Sequence, residues 1–446
     1  MSKIEKVIKR TGTIVPFKKE RISNAIYRAA VSVGGRDKET ADKLADIVVE
    51  VLEEKTKEGE IPHIEQIQDI VEKVLIEQGH AKVAKEYILY REERNKARSA
   101  ESRYASAPNE NIPWAKIWHV LDWAVDKKLN SVDLLNERIK KEGFARIVHE
   151  SEKAYENEID TAVEQIVEKI DTLKMVMVSG PSSSGKTTTT KKIEQRLEKY
   201  GYKFVALNVD HYFFDLELHP KDEFGDYDFE TPQALDLDLI NEHLEKLSGG
   251  EEVWIPYYDF KAGKRHLNRT RMQLSGKEII LIDSLHGLYP KFSENIPDEN
   301  KFRLYLEPLL QMKGKDGKYI RWTDIRLIRR MLRDSVQRAY NPRQTLEHWH
   351  YVRSSELRNI IPNQSKADFI VNTSMPYELP LYAHRMGNLF KEWVNEFKDN
   401  PLKLDAYERA VRVSKMLETV TPISDDSSIP KDSLLREFIG GSVFKY

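Results

Sequence analysis

The sequence contains no cysteine among its 446 residues, which excludes disulfide bonds and thiolate metal sites. No apolar run approaches the roughly 18 residues that a membrane span needs, and the N-terminus shows no apolar signal core. Neither sign of charge is in excess, because 71 Lys and Arg face 73 Asp and Glu and leave a formal net charge of −2. We therefore expect a cytoplasmic protein that binds no membrane, and net charge gives no indication of a nucleic-acid partner.

The order of helical and strand patterns divides the chain into five segments. Two short strand candidates and four helical patterns come first, followed by a stretch of small and polar residues with two prolines. An aromatic-rich helical region comes next, and we expect it to pack against the domain after it. The predicted segments are a compact, mainly helical unit at 1–98, a linker at 99–113, a helical connecting region at 114–171, an α/β domain at 172–385 and C-terminal helices with a tail at 386–446.

Residues 180–188, Gly-Pro-Ser-Ser-Ser-Gly-Lys-Thr-Thr, fit the phosphate-binding pattern G-x-x-x-x-G-K-[ST], known as the P-loop. The residues before it, 173–179, predict a short buried strand, and residues 189–200 predict a helix. This context places backbone N–H groups and a helix dipole around an anion. Lys186 is expected to reach the β- and γ-phosphates of a nucleotide, and the Thr187 hydroxyl is expected to hold Mg²⁺. The predicted nucleotide-binding residues are Gly180, Ser182, Ser183, Ser184, Gly185, Lys186, Thr187 and Thr188.

Alternating strands and helices around this loop predict an α/β fold with a doubly wound parallel sheet. Ligands of such sheets bind outside the carboxyl ends of the strands. Asp210 and Asp283 each close a predicted strand at that edge. We expect Asp283 to act on Mg²⁺, directly or through water, and Asp210 to orient or deprotonate an acceptor hydroxyl.

A predicted helix at 324–338 carries many arginines, of which Arg326, Arg330 and Arg333 are three or four residues apart and share a face. A closing lid uses such a face over a nucleotide. We assign Arg330 and Arg333 to catalysis together with Lys186 and Asp210; the alternative for any one arginine is a solvated helix surface. A basic loop is predicted at 261–271, but only one aromatic residue borders it, so single-stranded nucleic acid is not expected as a partner.

Residues from about 144 to 385 resemble the uridine kinase and phosphoribulokinase family of P-loop kinases, in particular a bacterial uridine kinase-like subgroup with N-terminal accessory domains. The stretches that carry the resemblance are 179–188, 227–232, 255–260, 281–288, 324–338, 367–372 and 377–379. The resemblance implies a P-loop NTPase fold with a helical lid, ATP and Mg²⁺ as cofactors, and an acid at Asp210 that serves as the base. It also implies that Asp228 holds ribose hydroxyls and that Tyr258 lies by the nucleobase. Arg265 and Arg338 are predicted to join them at the substrate.

Three positions depart from the pattern of uridine kinases. Those enzymes usually carry a histidine where this chain has Gly263, and their second lid arginine is replaced in the run Arg338-Ala339-Tyr340. Asp283 stands where relatives usually have glutamate. The phosphate-binding residues are intact, so the departures concern recognition of the base rather than kinase chemistry.

The first segment resembles the ATP-cone domain, the nucleotide-sensing module of many ribonucleotide reductases. The stretches that carry this resemblance are 7–12, 15–17, 21–22, 25–26 and 84–91. It implies that ATP or dATP binds at this domain, with Lys9 and Arg10 near the phosphates and Lys85 and Arg91 as supporting cations. The alternative is that these cations are solvated surface residues.

The leading interpretation is an ATP-dependent kinase that acts on a small-molecule hydroxyl, most of all that of a nucleoside, and is regulated by ATP or dATP at the N-terminal domain. One alternative is a sugar-phosphate or polyol kinase of the phosphoribulokinase type. Another is a non-catalytic, nucleotide-sensing regulator. Asp210 beside an intact P-loop favours an enzyme, since a sensor needs no acceptor base. An oligomer is compatible with the sequence.

Overall fold

The computed structural model describes residues 4–8, 14–33, 35, 37–56, 60–88, 112–220, 227, 229, 231–337, 341–398, 400 and 403–445. The chain divides into two compact units. The first combines residues 1–109 with 218–229, and the second combines residues 110–217 with 230–446. Among the described residues, none of the helices combines the length and apolar character that crossing a membrane requires.

The first unit contains a two-stranded antiparallel sheet and helices packed on one apolar cluster. Strand β1 pairs with β2 so that Val7 lies opposite Val15. The helices bury residues at helical spacing, for example Ile67, Val71 and Val74, which is why the periodicity of the sequence predicted them. The elements are β1 Lys6–Ile8, β2 Ile14–Pro16, α1 Lys19–Ser32, α2 Lys38–Lys55, α3 Ile64–Glu77 and a helical run, α4, over 81–88.

The second unit is built on a five-stranded sheet whose paired strands are all parallel. The strands are β3 Met175–Ser179, β4 Lys203–Ala206, β7 Glu278–Asp283, β8 Lys301–Glu307 and β9 Phe369–Asn372, in the spatial order β4-β7-β3-β8-β9. The strand that precedes the P-loop is therefore central. This order confirms the predicted doubly wound α/β fold of a P-loop protein.

Side chains of the central strands alternate between two apolar layers. Val176 and Val178 of β3 belong to the larger cluster, which includes helices that flank the sheet, whereas Met175 and Met177 belong to a second cluster. The second cluster includes Ile240 and other residues of the helix that follows β4. Helices therefore cover both faces, and the buried strands read as continuous apolar runs, as parallel strands do.

The helices of the second unit pack into the same core as the sheet. The larger cluster runs from Leu129 to Ile439, so the segments before and after the α/β region share its core. Trp114 and Trp118, expected to pack, are instead 60% and 68% exposed, whereas Trp123 packs against the core. The helices are α5 Trp114–Asp126, α6 Val132–Glu142, α7 Phe144–Glu168, α8 Lys186–Leu197, α9 Leu237–Ser248, α10 Trp322–Gln337, α11 Pro342–Ser355, α12 Glu378–Phe397, α13 Leu404–Glu418 and α14 Arg436–Ile439.

The predicted basic loop is a strand. Strand β5, Val253–Asp259, pairs antiparallel with β6, Lys264–Met272, as a hairpin whose turn is closed by the Gly263 N–H, which donates to the Asp259 carbonyl at 2.7 Å. Lysine and asparagine are depleted in strands, and β6 carries Lys264 and Asn268 among charged and polar residues, so propensity reasoning predicted a loop there. Cross-strand pairing with the apolar and aromatic residues of β5 explains why the strand forms nevertheless.

Candidate active site

The P-loop follows β3 and delivers the chain into α8, which begins at Lys186 rather than at the predicted residue 189. Gly185 is the N-cap residue and has a φ of 92°, a left-handed conformation that glycine adopts without steric cost. Ser183 also has a positive φ, of 61°. Such turns direct successive backbone N–H groups into one concavity, which favours an anion.

Two serine hydroxyls of the loop are available to hydrogen-bond a ligand. Ser183 Oγ and Ser184 Oγ are buried and have no hydrogen-bond partner among the described residues. Lys186 Nζ donates to the Gly180 carbonyl at 2.8 Å, across the same loop. Buried polar groups are nearly always satisfied, so these hydroxyls indicate a ligand with oxygen acceptors. The loop therefore fits a phosphate chain at the N-terminus of a helix.

Asp283 lies directly beside the loop. Strands β3 and β7 are parallel neighbours, and Val178 of β3 is paired with Asp283 at the end of β7. Burial raises the pKa of Asp283 to about 6, against a lowering effect of the positive charge of Lys186. The negative charges of Glu437 and Asp210 raise the same pKa further, so all four side chains lie within electrostatic reach of one another. The sheet register thus brings together Lys186, Asp283 and Asp210 as the sequence predicted.

Asp210 follows the edge strand β4 in a short 3₁₀ turn, Val209–Tyr212. The Asn208 side chain fixes this turn by accepting a hydrogen bond from the Asp210 backbone N–H at 3.0 Å. The residue is exposed to solvent, yet the surrounding protein partly desolvates the carboxyl group and raises its pKa. A carboxylate with a raised pKa is a better proton acceptor, which suits a general base.

The described residues contain no group of three or more His, Cys, Asp or Glu side chains that could hold a metal ion. A cation at this site would therefore depend on the Asp283 carboxylate, the Thr187 hydroxyl and the ligand's own phosphates. Mg²⁺ is usually bound in this way, by one or two carboxylates together with substrate phosphates. The residues present fit that ion.

The arginines of α10 point in different directions, and this corrects the prediction that Arg326 shares a phosphate-facing surface. Arg326 is fully buried and binds the Glu356 carboxylate with both terminal nitrogens, at 2.5 and 2.8 Å. It also donates from Nη1 to the Ser182 carbonyl of the loop at 3.1 Å. Arg330 is partly exposed and donates from Nη1 to Ser182 Oγ at 3.2 Å. Arg326 therefore supports the loop, and Arg330 is the arginine of α10 that contacts a loop side chain.

A second buried pair holds the other end of the loop. Thr373 Oγ1 donates to the Ser184 carbonyl at 2.6 Å, and the Thr373 carbonyl accepts from Arg329 Nη2 at 2.6 Å. Arg329 in turn is paired with Glu378, which accepts from its Nε at 2.7 Å. With the loop carbonyls held outward, its N–H groups remain directed at the ligand. Sequence reasoning missed these roles, although Glu378 lies in one of the stretches that carried the family resemblance.

The predicted catalytic residue Arg333 lies one turn further along α10. Its Nε and Nη2 both face Asp334 Oδ1, at 3.4 Å, and the side chain is partly exposed. The adjacent carboxylate screens its charge in this conformation, so a role on phosphate requires the guanidinium to turn.

The hairpin residues predicted to contact the substrate already make contacts within the protein. Tyr258 is 1% exposed, and its ring packs on Phe213 and Phe260 with centroids 5.6 and 5.0 Å apart. Arg265 donates from Nη1 to Asp236 Oδ2 at 2.7 Å. Asp228 and Arg338, the other predicted substrate residues, lie outside the described residues.

Of the predicted allosteric residues, Lys9, Arg10 and Arg91 also lie outside the described residues, and Lys85 is exposed on α4. The cations proposed for the N-terminal nucleotide site therefore remain predictions.

Two family models match the chain. One, described as the ATP cone domain, matches residues 5–96, and the other, described as the phosphoribulokinase / uridine kinase family, matches residues 175–379. The chain carries an ATP cone domain followed by a phosphoribulokinase/uridine kinase family domain. The second match contains the P-loop, Asp210, Asp283 and the helix α10, so the candidate site described above lies within the region that this family model covers.

Individual relatives agree with both matches. The uridine kinase of Deinococcus deserti is 27% identical over 198 residues, which cover 44% of this chain and 86% of that protein. The uridine kinase of Bacillus pumilus is 28% identical over 198 residues, covering 44% and 85%. The vitamin B12-dependent ribonucleoside-diphosphate reductase of Thermoplasma acidophilum is 46% identical over 100 residues, which cover 21% of this chain and 12% of that protein.

Two solved kinases are similar in part. A putative fructose transport system kinase from a Silicibacter species has a TM-score of 0.31 and 14% identity, covering 46% of this chain and 91% of that one. A possible uridine kinase from Bacillus stearothermophilus has a TM-score of 0.26 and 19% identity, covering 34% and 79%. At these TM-scores neither comparison adds to the family assignment.

One contact at the kinase site comes from beyond the family match. Glu437, on the short helix α14, is 5% exposed, and its Oε2 accepts from Thr188 Oγ1 at 2.7 Å and from the Thr188 backbone N–H at 3.3 Å. Thr188 was predicted to bind nucleotide. No motif in the sequence marks Glu437, since its partner is 249 residues away.

Proposed function

We propose that this protein is an ATP-dependent kinase that transfers the γ-phosphoryl group of ATP to a hydroxyl of a small molecule, with a nucleoside as the leading acceptor. The observation that carries the proposal is the juxtaposition of Lys186, Asp283 and Asp210 at the carboxyl edge of the sheet. The family of the domain and relatives named uridine kinase support the same reaction class.

In this mechanism the loop holds the phosphates and Asp210 handles the proton. Backbone N–H groups and the hydroxyls of Ser183 and Ser184 bind phosphate oxygens, while Lys186 turns from the Gly180 carbonyl to the β- and γ-phosphates. Thr187 and Asp283 would hold Mg²⁺, which neutralises charge on the phosphates.

As the acceptor oxygen bonds to the γ-phosphorus, the bond from that phosphorus to the β–γ bridging oxygen breaks and ADP is the leaving group. The acceptor's proton passes to the Asp210 carboxylate. We assign to Arg330 the stabilisation of charge on the transferred group, and its contact with Ser182 Oγ at the loop supports this role.

The hairpin turn favours a second candidate for the acceptor. Gly263, where uridine kinases usually carry histidine, has a φ of +65°, and a Cβ there would lie 2.8 Å from Leu216 Cβ. A histidine is therefore not accommodated without rearrangement, and Arg265 is bound to Asp236. Because the base-recognition side of the site differs in these ways, a sugar phosphate or another polyol is the second candidate acceptor.

The ATP cone domain is proposed to bind ATP or dATP and to tune the kinase. Lys9, Arg10, Lys85 and Arg91 are the cations assigned to this role by resemblance. If the acceptor is a nucleoside, Asp228 is proposed to contact its ribose and Tyr258 to border its base, with Arg265 and Arg338 nearby.

The test is an acceptor screen with the full chain, ATP and Mg²⁺, which measures ADP release with a panel of nucleosides and a panel of sugar phosphates. We expect ADP release that depends on one acceptor class and disappears in Lys186→Ala. A control variant, Lys191→Ala, changes a lysine of α8 outside the loop and should retain activity. ATP binding without turnover on any acceptor would instead favour the non-catalytic sensor.

A further inference from the structure

Glu437 contacts Thr188 at hydrogen-bond donors that the proposed kinase would use to bind nucleotide phosphates. Thr188 is the third residue of α8, so its N–H is one of the first four N–H groups that a helix leaves without an internal partner. In a P-loop these donors bind the phosphates of the nucleotide. In this structure the Thr188 N–H and hydroxyl both donate to one carboxylate oxygen of Glu437.

The segment that carries Glu437 is firmly docked. Leu434 is fully buried and lies so close to Gly185 that a Cβ on that glycine would collide with it. Ser433 Oγ donates to Glu152 Oε1 at 2.5 Å, and Asp432 pairs with Lys192 at 2.9 Å. A packing contact, a hydrogen bond and an ion pair of the neighbouring residues 432–434 therefore hold the segment that carries Glu437 against the loop and α8.

We propose that residues 433–439 form an autoinhibitory plug, in which the Glu437 carboxylate takes the place of a nucleotide phosphate and must leave before ATP binds fully. The inference rests on the proposed function, because it concerns the same nucleotide site. One N–H group does not serve two anions at full strength, and a carboxylate beside a phosphate chain adds like-charge repulsion.

The plug predicts that Glu437→Ala lowers the melting temperature of the ligand-free protein and at the same time tightens MgATP binding. Removing the carboxylate deprives the Thr188 N–H and hydroxyl of a buried partner, so the ligand-free protein should melt at a lower temperature. The same change frees those donors for ATP. We therefore expect the Kd for MgATP to fall by about 10-fold or more, since a charge-assisted hydrogen bond no longer competes. A residue with only a structural role would weaken both properties together.

The experiment is isothermal titration of the full chain with MgATP, without acceptor, for the wild type, Glu437→Ala, Glu437→Gln and Asp425→Asn. Asp425 is the matched control, an exposed carboxylate of the same C-terminal region that accepts from the Ser427 N–H. We expect tighter binding in Glu437→Ala, an intermediate Kd in Glu437→Gln and no change in Asp425→Asn. Hydrogen exchange in the wild type should show that MgATP lowers the protection of 433–439.

An unchanged or raised Kd in Glu437→Ala, or unchanged protection of 433–439 on MgATP binding, would overturn the plug while leaving the kinase proposal intact. If neither the wild type nor the variant binds MgATP, the proposed function itself fails, and the plug fails with it.

Discussion

We expect the Asp283 carboxylate, which we assign to the phosphate site, to lower the free energy of unfolding of the ligand-free protein. Its carboxyl group has a pKa of about 6, against a usual value of 3.8, chiefly because the surrounding protein desolvates it. Between these two values the folded state binds more protons than the unfolded state. Stability therefore falls as the pH rises through this window, and the whole cost is present above a pH of about 6.

The size of the effect follows from the same two values. At about 1.4 kcal/mol per pKa unit, the difference sets an upper limit of about 3 kcal/mol. Asp283 is partly reached by water from the cleft, so we expect Asp283→Asn to raise the free energy of unfolding by about 1–3 kcal/mol at pH 8. At pH 4 the two proteins should differ little, because the wild-type carboxyl is then protonated in the folded state.

The assay is thermal or urea unfolding of wild type and Asp283→Asn at several pH values between 4 and 8, without nucleotide or Mg²⁺. A control is Asp215→Asn, because Asp215 accepts from the Arg265 backbone N–H at 2.8 Å and this contact lowers its pKa below the usual value of 3.8. The stabilisation from that carboxylate is therefore already present at pH 4, and the difference in stability between Asp215→Asn and wild type should change little between pH 4 and pH 8. The reasoning about Asp283 is refuted if the difference between Asp283→Asn and wild type does not grow with pH. A growing difference together with loss of Mg²⁺-dependent turnover would show that the same carboxylate trades stability for function.

Three further changes test other parts of the site. Asp210→Asn should keep MgATP affinity and lose roughly 10²-fold in phosphoryl transfer; single-turnover rates near those of wild type would remove Asp210 from the mechanism. Glu356→Gln breaks the buried pair with Arg326 and should cost about 3 kcal/mol in urea unfolding, with weaker MgATP binding; an unchanged midpoint would contradict the bracing role. Lys9→Ala combined with Arg10→Ala should abolish any change of kinase rate with dATP at saturating ATP and leave basal turnover; rates that still respond to dATP would place the effector elsewhere.

Local patterns were sufficient to predict the parts of the site that lie at strand ends. The P-loop, Asp210 and Asp283 each follow a short apolar run, and a parallel sheet brings the carboxyl ends of its strands to one edge. The spatial order of the strands did not have to be known for this prediction. That order decides which strands are neighbours, but the carboxyl ends of all parallel strands lie at the same edge of the sheet.

Contacts between distant segments were not predictable in this way. Helical spacing placed Arg326 and Arg330 on neighbouring positions of α10, but it did not reveal that a buried carboxylate, Glu356, faces one of them 30 residues later. Thr188 and Glu437 are further apart still. Tertiary packing determines which distant residues become partners, and the periodicity of a single sequence does not predict those contacts.

The position of strands in the sheet separates two tasks that a kinase must combine. The P-loop grows from β3, which has hydrogen-bonded neighbours on both sides, whereas Asp210 follows β4 at the rim of the sheet. A rim strand tolerates bends and insertions that a central strand does not, since fewer ladder bonds are disturbed. The loop that we propose to bind ATP thus follows a central strand, β3. The residue that we propose to act on the acceptor hydroxyl, Asp210, follows the edge strand β4, where changes of the backbone disturb fewer hydrogen bonds. Changing the accepted alcohol by redesign should therefore begin at β4 and the β5–β6 hairpin, where altered geometry leaves the phosphate cradle undisturbed.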